Sequence, residues 1–414
     1  MPADQAPLTR RDAVSHLLER DAAPSTGPAR VGIEQEWHTY CLADPSRHLH
    51  PDEVLGAVDA VGPLPCGSTV SVEPGGQVEV ATLATDPWWG ALDALRTDGA
   101  AVREALAVAG VAALGAGTDP FRAPARTLCA PRYDVMEAYF AAWGPAGRVM
   151  MSGSASIQVN IDSGDAPTMA RRWELAHRIG PALSAAFACS PSPTHRSARL
   201  AAWEALDPSR TQPALRSGDL GDDWTSYVLD ARLMLLHDDD GRCTPVRAPL
   251  SFGEWVDRGL DGRRPTAADL DYHCTTLFPP VRPRGWLELR WPDALPAGLA
   301  EVACAAIVAV LVDEEAGDRA SRACGPVAGD WADAARLGPA RPDLAAAAAT
   351  TLRAAADALD RSGAPGGLTE DVADSAERWP ARGRCPADDL EDRLRRGAAL
   401  ADLVDPPAEV ARWR

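Results

Sequence analysis

The fold is decided by Gly32–Trp37, Gly-Ile-Glu-Gln-Glu-Trp, and by a later partner, Ser71–Val80, Ser-Val-Glu-Pro-Gly-Gly-Gln-Val-Glu-Val. Successive side chains of an extended chain point to opposite faces. Ile33, Gln35 and Trp37 therefore share one face, and Glu34, Glu36 and His38 the other. Val78 and Val80 face the core, Gln77 and Glu79 face away, and Glu73 closes its strand on the side opposite Val72. The intervening Pro-Gly-Gly reads as a tight turn joining two strands within Ser68–Thr82. Two further segments repeat the pattern. In Ser156–Asp162, Ile157, Val159 and Ile161 oppose Gln158, Asn160 and Asp162. In Leu287–Trp291, Glu288 and Arg290 oppose Leu287, Leu289 and Trp291.

If these strands form one sheet, its polar face gathers Glu34, Glu36, Glu73, Glu79, Glu288, Gln158, Asn160 and Arg290. An alternating polar row is ordinarily the solvated face of an antiparallel sheet. Glu, however, is a poor strand former, and four segments share the same carboxylate and carboxamide bias. Five carboxylates in one hollow repel strongly, burial costs several kcal/mol per uncompensated ion, and one Arg cannot neutralise them. Hard divalent cations can, and Mg²⁺ favours carboxylate oxygens shared with substrate phosphates. The pattern therefore predicts a site for two or more Mg²⁺ ions and a nucleotide on an antiparallel sheet. Mn²⁺ is the other cation such a site would accept.

Working outward, helices are expected over Leu8–Arg20, Asp52–Val61, Trp88–Ala109, Tyr133–Trp143, Met169–Cys189 and Leu299–Glu315. Strands are expected over Val31–Tyr40, Val111–Gly117, Ser152–Asp162 and Gly285–Trp291. Trp224–Met234 and Leu250–Arg258 carry mixed signals. From about Arg341 the texture turns to Ala-rich amphipathic helices, Leu344–Leu359, Glu370–Arg378 and Ala387–Leu403. Strands and helices do not alternate regularly, so a doubly wound parallel sheet is disfavoured and an α+β fold expected. The expected organisation is a single catalytic domain over 1–414, with its core at about 31–330 and a helical region at 341–414.

Composition narrows the chemistry. The 414 residues carry 41 basic and 59 acidic side chains, a net charge of −18, and every basic residue is Arg. Without Lys there is no P-loop Lys, no Schiff base and no kinase Lys. An ATP-grasp site with its usual lysines is disfavoured too. The charge argues against nucleic acid, which needs a basic face, and against an anionic membrane surface. The nine cysteines are scattered, odd in number and lack a Cys-x-x-Cys pair, so reduced thiols in a cytoplasmic protein are expected. The N-terminus shows no apolar leader and no run is long enough to span a bilayer.

These segments resemble the glutamate–cysteine ligases of plant and bacterial type, most closely the actinobacterial enzymes of ergothioneine-type thiol pathways. The family pattern G-x-E-x-E-W is similar to Gly32–Trp37, and E-P-G-G-Q-x-E to Glu73–Glu79. R-Y-x-x-M-x-x-Y is similar to Arg132-Tyr133…Met136…Tyr139, and M-M…Q-V-N-x-D to Met150-Met151…Gln158–Asp162. Arg199…Trp203…Asp207…Arg210-Thr211 follows next in family order. His273…Thr276…Phe278-Pro279…Val281-Arg282…Leu287-Glu288…Arg290 closes the series. Val80-Ala81 stands where the family often has Leu-Ser, and Pro280 where it often has an acid, which bears on the substrate pocket.

The resemblance implies a glutamine-synthetase-like catalytic domain, a curved antiparallel sheet forming a funnel with helices on its outer side. It implies that ATP phosphorylates the γ-carboxylate of glutamate and that the cysteine amine displaces phosphate, giving γ-glutamylcysteine. Glu34, Glu36, Glu73, Glu79 and Glu288 become Mg²⁺ ligands, with Glu34, Glu79 and Arg290 as the catalytic set. Gln158, Asn160, Arg132, Tyr133, Arg199, Trp203, Arg210 and Thr211 become substrate and ATP contacts. Glutamate, cysteine and ATP are the implied partners; the oligomeric state is left open, a monomer being compatible. The alternatives are a ligase of the same fold with another amine acceptor, and a non-catalytic glutamate or nucleotide sensor.

Overall fold

The computed structural model describes residues 6–238 and 240–404; residues 405–414 of the expected helical region lie outside these. The decisive segments fall in one sheet, as expected. Strand β1 (Val31–Cys41) is the spine of a seven-stranded sheet. Beside it lie β2 (Thr69–Val72), β3 (Val78–Ala81), β4 (Val111–Leu114) and β5 (Ile157–Asp162). A separate hairpin is formed by β6 (Leu235–His237) and β7 (Cys243–Pro245). The main sheet is completed by β8 (Val281–Pro283) and β9 (Trp286–Leu289). Its order is β2-β3-β1-β5-β9-β8, all antiparallel, with β4 on the far half of β1.

The apolar face follows from the alternation. Val31, Ile33, Ile157, Val159, Ile161, Leu287 and Leu289 are at most 1% exposed and share one core with the covering helices. Those helices include Ala166–Ala186, Leu299–Val312 and Pro342–Ser362. Leu344, Leu352 and Leu359 of the last join the same core, so the Ala-rich region packs on the sheet side of the molecule. Gln35 is the polar exception on this face, and its buried Nε2 donates to the Leu295 carbonyl at 2.8 Å. The α+β arrangement expected from the sequence, an antiparallel sheet with helices packed on its apolar side, is the one observed.

Several boundaries differ for local reasons. The apolar run Leu299–Glu315 is two helices, because the Asp313 carboxylate accepts the Ala316 N–H at 2.8 Å and caps a new start. Ser152 ends a short helix, Ala146–Ser152, and strand β5 begins only at Ile157. The mixed segments are the helices Leu220–Asp230 and Phe252–Arg258, and Ala387–Leu403 divides into Pro386–Arg395 and Leu400–Leu403.

The turn between β2 and β3 is fixed from several sides. The Glu73 N–H donates to the Gln77 carbonyl at 2.8 Å, and the Thr127 and Leu128 N–H groups donate to the Pro74 carbonyl. Gln77 Nε2 donates to the Ser154 carbonyl at 2.6 Å. Gly76 adopts φ +82°, which glycine accepts without a steric penalty. Gly75 is required for another reason. A Cβ there would lie 2.3 Å from the Ser152 carbonyl oxygen. Gly75→Ala should therefore destabilise the protein by about 1–3 kcal/mol in chemical denaturation, the usual cost of overpacking. A variant as stable as the wild type would show that the turn does not dock on this helix end.

Candidate active site

The floor of the site is the polar face of the sheet. Glu36 lies directly across from Glu79 in the β1–β3 pairing. Glu34 lies across from Gln158, and Asn160 across from Glu288. Like charges placed opposite one another on antiparallel strands repel. Few hydrogen bonds relieve them. Ser71 Oγ donates to Glu79 at 3.0 Å, the Ser156 N–H to Glu36 at 2.7 Å, and Asn160 Nδ2 to Glu34 at 3.0 Å.

The protonation equilibria record this crowding. Removal from water, with the charge of Glu73, pushes Glu36 up to about 7. Burial and Glu79 push Glu73 up to about 7, and burial with Glu36 and Glu34 pushes Glu79 up to about 8. Glu34 is raised by burial and Glu288, against the opposing pull of Arg290 and Asn160.

Glu288 stands apart. It is 1% exposed, and burial alone would raise it. Arg282 donates to both its oxygens, at 2.6 and 3.1 Å, while Arg290 reaches it at 3.1 Å and Arg284 at 3.3 Å. Their charges outweigh desolvation and bring its carboxyl down to about 2. The expectation of one Arg among five acids thus needs correcting, since three arginines converge on Glu288 alone. Arg290 also donates through Nη1 to Gln158, and its buried Nε has no hydrogen-bond partner among the described residues.

Above the floor lies a cavity of about 310 Å³. Its polar lining, Glu36, Glu73, Gln77, Ser154, Ser156 and Arg290, belongs to the sheet and the segments that join it. The opposite wall carries Arg132, Tyr133 and Met136 from helix Pro131–Ala141, and Met150 and Met151 from Ala146–Ser152. Trp203 and Phe278 complete that wall. Arg132 is oriented by two 2.7 Å bonds to the hydroxyl and carbonyl of Thr275.

Of the expected substrate contacts, Arg132, Tyr133 and Trp203 line this cavity; Gln158 and Asn160 do not, and bond instead to Arg290 and Glu34 on the polar face of the sheet. Arg199 lies behind it. Its guanidinium donates to the carbonyls of Arg290 (2.8 Å) and Trp291 (3.3 Å) and sits 4.7 Å from the Trp203 ring centre. Arg210 and Thr211 are not brought to the cavity. Arg210 is 0% exposed and donates to Asp207 at 3.2 Å, to the Thr276 carbonyl at 2.6 Å and to the Arg232 carbonyl. The Thr211 hydroxyl donates to the Asp207 carbonyl at 3.1 Å. Residue type and order suggested oxyanion clamps here; the helix turns these side chains inward, where buried donors must be satisfied internally.

Sequence reasoning assigned no role to Met136, Met150, Met151, Phe278 or Arg282, although each stands in a quoted motif. It missed a second cavity of about 420 Å³, which meets the site at Arg282. Arg20, Trp224, Arg284 and Trp286 also line that cavity, and Arg20 comes from the N-terminal helix Arg10–Asp21, where no motif pointed to it.

Residues 30–406 match the model of glutamate–cysteine ligase family 2. The chain belongs to this family. It is 40% identical to the glutamate–cysteine ligase EgtA of Mycobacterium tuberculosis, over 97% of this chain and 94% of the relative. It is 41% identical to EgtA of Mycolicibacterium smegmatis, over 91% and 90% respectively. Among solved structures, a bifunctional glutathione synthetase from Pasteurella multocida shares the fold, with a TM-score of 0.54 and 14% identity. That match covers 95% of this chain and 52% of the other.

The donor chemistry of this family 2 floor fits hard cations. Glu34, Glu36, Glu73 and Glu79 offer only carboxylate oxygens, and all four are raised by burial first and by neighbouring carboxylates second, a state a bound cation would relieve. Among the described residues no three carboxylate, His or Cys groups already converge on one point. Mg²⁺ does not require that, because it keeps several waters and takes one or two carboxylates plus phosphate oxygens.

A pH dependence follows. Carboxyls whose folded values lie above the unfolded value of about 4.3 stabilise the fold when protonated, and that contribution is lost as pH rises. For Glu36, Glu73 and Glu79 the loss runs from about pH 4 through about 7 to 8. The metal-free protein should therefore melt at lower temperature at pH 8.5 than at pH 6. Mg²⁺ should raise Tm more at the higher pH. A Tm that climbs with pH in chelator, or no Mg²⁺ effect at pH 8.5, would contradict this floor.

Proposed function

We propose that the chain is a single catalytic unit that couples ATP hydrolysis to amide formation between the γ-carboxylate of glutamate and the amine of cysteine. The products are γ-glutamylcysteine, ADP and phosphate, and the dipeptide feeds low-molecular-weight thiol synthesis of the ergothioneine type. The reading rests on family membership together with the carboxylate floor. A carboxylate is a poor electrophile, so its oxygen first takes the γ-phosphoryl group of ATP and ADP leaves. The cysteine amine then attacks the acyl phosphate, phosphate departs, and the amine loses its proton.

Both steps develop negative charge on phosphoryl and acyl oxygens, where preorganised positive groups contribute most. Glu34, Glu36, Glu73 and Glu79 would hold the Mg²⁺ ions, which supply that positive charge when bound. Glu288 has a different place in this account: it anchors Arg282, Arg284 and Arg290 at the junction of the two cavities. Arg290, oriented by Glu288 and Gln158, presents its guanidinium to the 310 Å³ cavity. A planar fork there suits a carboxylate or phosphoryl oxygen pair. The arginine-rich 420 Å³ cavity across Glu288 is large enough for a polyphosphate tail and an aromatic base, with the exposed Trp286 available for stacking.

Among the described residues no helix is long and apolar enough to cross a membrane, and the site of action proposed is the cytoplasm. The decisive assay incubates protein, ATP, Mg²⁺ and glutamate with each amino acid in turn. Cysteine should give the largest ADP release and a product of γ-glutamylcysteine mass; a rate equal to the no-acceptor control would reject the reading. Glu34→Gln and Glu79→Gln should each lower turnover by roughly 10²-fold or more, as loss of a group supporting transition-state charge does. Glu79→Gln should melt higher than wild type at pH 8.5 without metal, since it removes one member of the opposed pair. Arg290→Lys should also lose roughly 10²-fold, because a point charge cannot copy the fork.

A further inference from the structure

The 420 Å³ cavity carries charge of both signs. Arg282 and Arg284 enter it from strands β8 and β9 and the turn between them, and both pair with Glu288. Its two lining carboxylates, Asp21 and Asp271, differ in how far they are committed. Asp21 Oδ1 accepts from Arg20 Nε at 2.7 Å. Asp21 Oδ2 accepts from Arg20 Nη2 at 2.5 Å and from the buried indole nitrogen of Trp224 at 2.7 Å. Its side chain is 3% exposed. Asp271 is bonded on one oxygen only. Arg20 Nη1 donates to Oδ1, and His16 Nε2 lies 2.7 Å from the same atom. Oδ2 has no hydrogen-bond partner among the described residues, and the side chain is 46% exposed. Asp271 thus offers the cavity an oxygen that is anchored through its neighbour and open to a donor.

We propose that Asp271 accepts a hydrogen bond from the ribose hydroxyls of the nucleotide and so sets a preference for ribonucleotides over deoxyribonucleotides. This rests on the ligase reading and on the nucleotide lying in this cavity. The three parts of a nucleotide need different partners. Phosphates are anionic acceptors, which Asp271 repels and Arg282 and Arg284 attract. The base needs an aromatic face, which Trp286 supplies, its indole nitrogen fixed by a 2.8 Å bond to Asn160 Oδ1. The ribose 2′- and 3′-hydroxyls are donors, and an ionised carboxylate only accepts. Acidic side chains hold ribose in the same way in dinucleotide-binding folds. One helix end ties these partners together. Arg20, which holds Asp271, is followed by Asp21, whose carbonyl accepts the Gly285 N–H at 3.0 Å between Arg284 and Trp286. The acid for the sugar and the turn beside the phosphates and base therefore share one support.

The test compares kcat/KM for ATP, 2′-deoxy-ATP and 3′-deoxy-ATP with glutamate, cysteine and Mg²⁺ present. In the wild type at least one deoxy analogue should fall roughly 10–10²-fold below ATP, as loss of a hydrogen bond to a charged group does. Asp271→Ala should weaken ATP by a similar factor and bring ATP and that analogue within about threefold of each other. Asp271→Asn keeps an acceptor without the charge, and its ratio should fall between. Deoxy analogues that both match ATP in the wild type would overturn the proposal without any variant. So would an Asp271→Ala enzyme that loses ATP and deoxy-ATP activity alike, since a mere brace for the helix would act so. A change in the ratio of ATP to ITP with the ribose ratio untouched would place Asp271 on the base and also overturn it. If ATP gives no cysteine-dependent ADP release, the ligase reading itself fails. If that release is present and the ribose ratio is flat, this inference alone fails.

Discussion

Glu36 and Glu79 face each other across two hydrogen-bonded strands, and the rest of the site is arranged around that repulsion. A sheet tolerates opposed like charges only where something else supplies stability or charge. The apolar side does the first, with Ile33, Val80, Val159 and Leu289 buried under layers of helix. Among the five expected metal carboxylates, Glu288 is the one that arginines of the described residues pair with directly. Burial and mutual repulsion raise the four remaining carboxyls, the state on which the proposed metal and phosphate site rests.

Much of this was legible in the residues. Alternation placed Glu34 and Glu36 on one face and Ile33 and Gln35 on the other, and the supposition of one shared sheet held, while the pairing of β1 with β3 and β5 came from the structure. What escaped were contacts between segments distant in sequence. Val281–Pro283 is a short strand flanked by prolines and reads as loop, so Arg282 was not seen as the partner of Glu288. Arg210 and Thr211 sit in a motif whose order is plain, yet nothing local says that the guanidinium turns inward to Asp207 and Thr276. Arg20 is the extreme case, since only tertiary packing carries it from the first helix to the second cavity.

The split of labour between the two sides of the cavity links the architecture to the chemistry. The strands supply rigid, closely spaced carboxylates, and rigid elements hold reacting groups more accurately than loops. The helices Pro131–Ala141 and Ala146–Ser152 supply shape and apolar surface. The Pro74-Gly75-Gly76 turn joins them mechanically, being bonded to Thr127, Leu128 and, through Gln77, to Ser154.

The central claim, that the floor exchanges protons for hard cations, is tested most directly by calorimetric titration of metal-free protein with Mg²⁺ at pH 7. The titration is repeated in buffers of different ionisation heat, so that protons released on binding are counted. Ligand carboxyls that are partly protonated must give up their protons to the metal. The account predicts saturable binding with release of about one proton or more, diminished in Glu79→Gln. Binding with no proton release, or binding that Glu79→Gln leaves untouched, would contradict it.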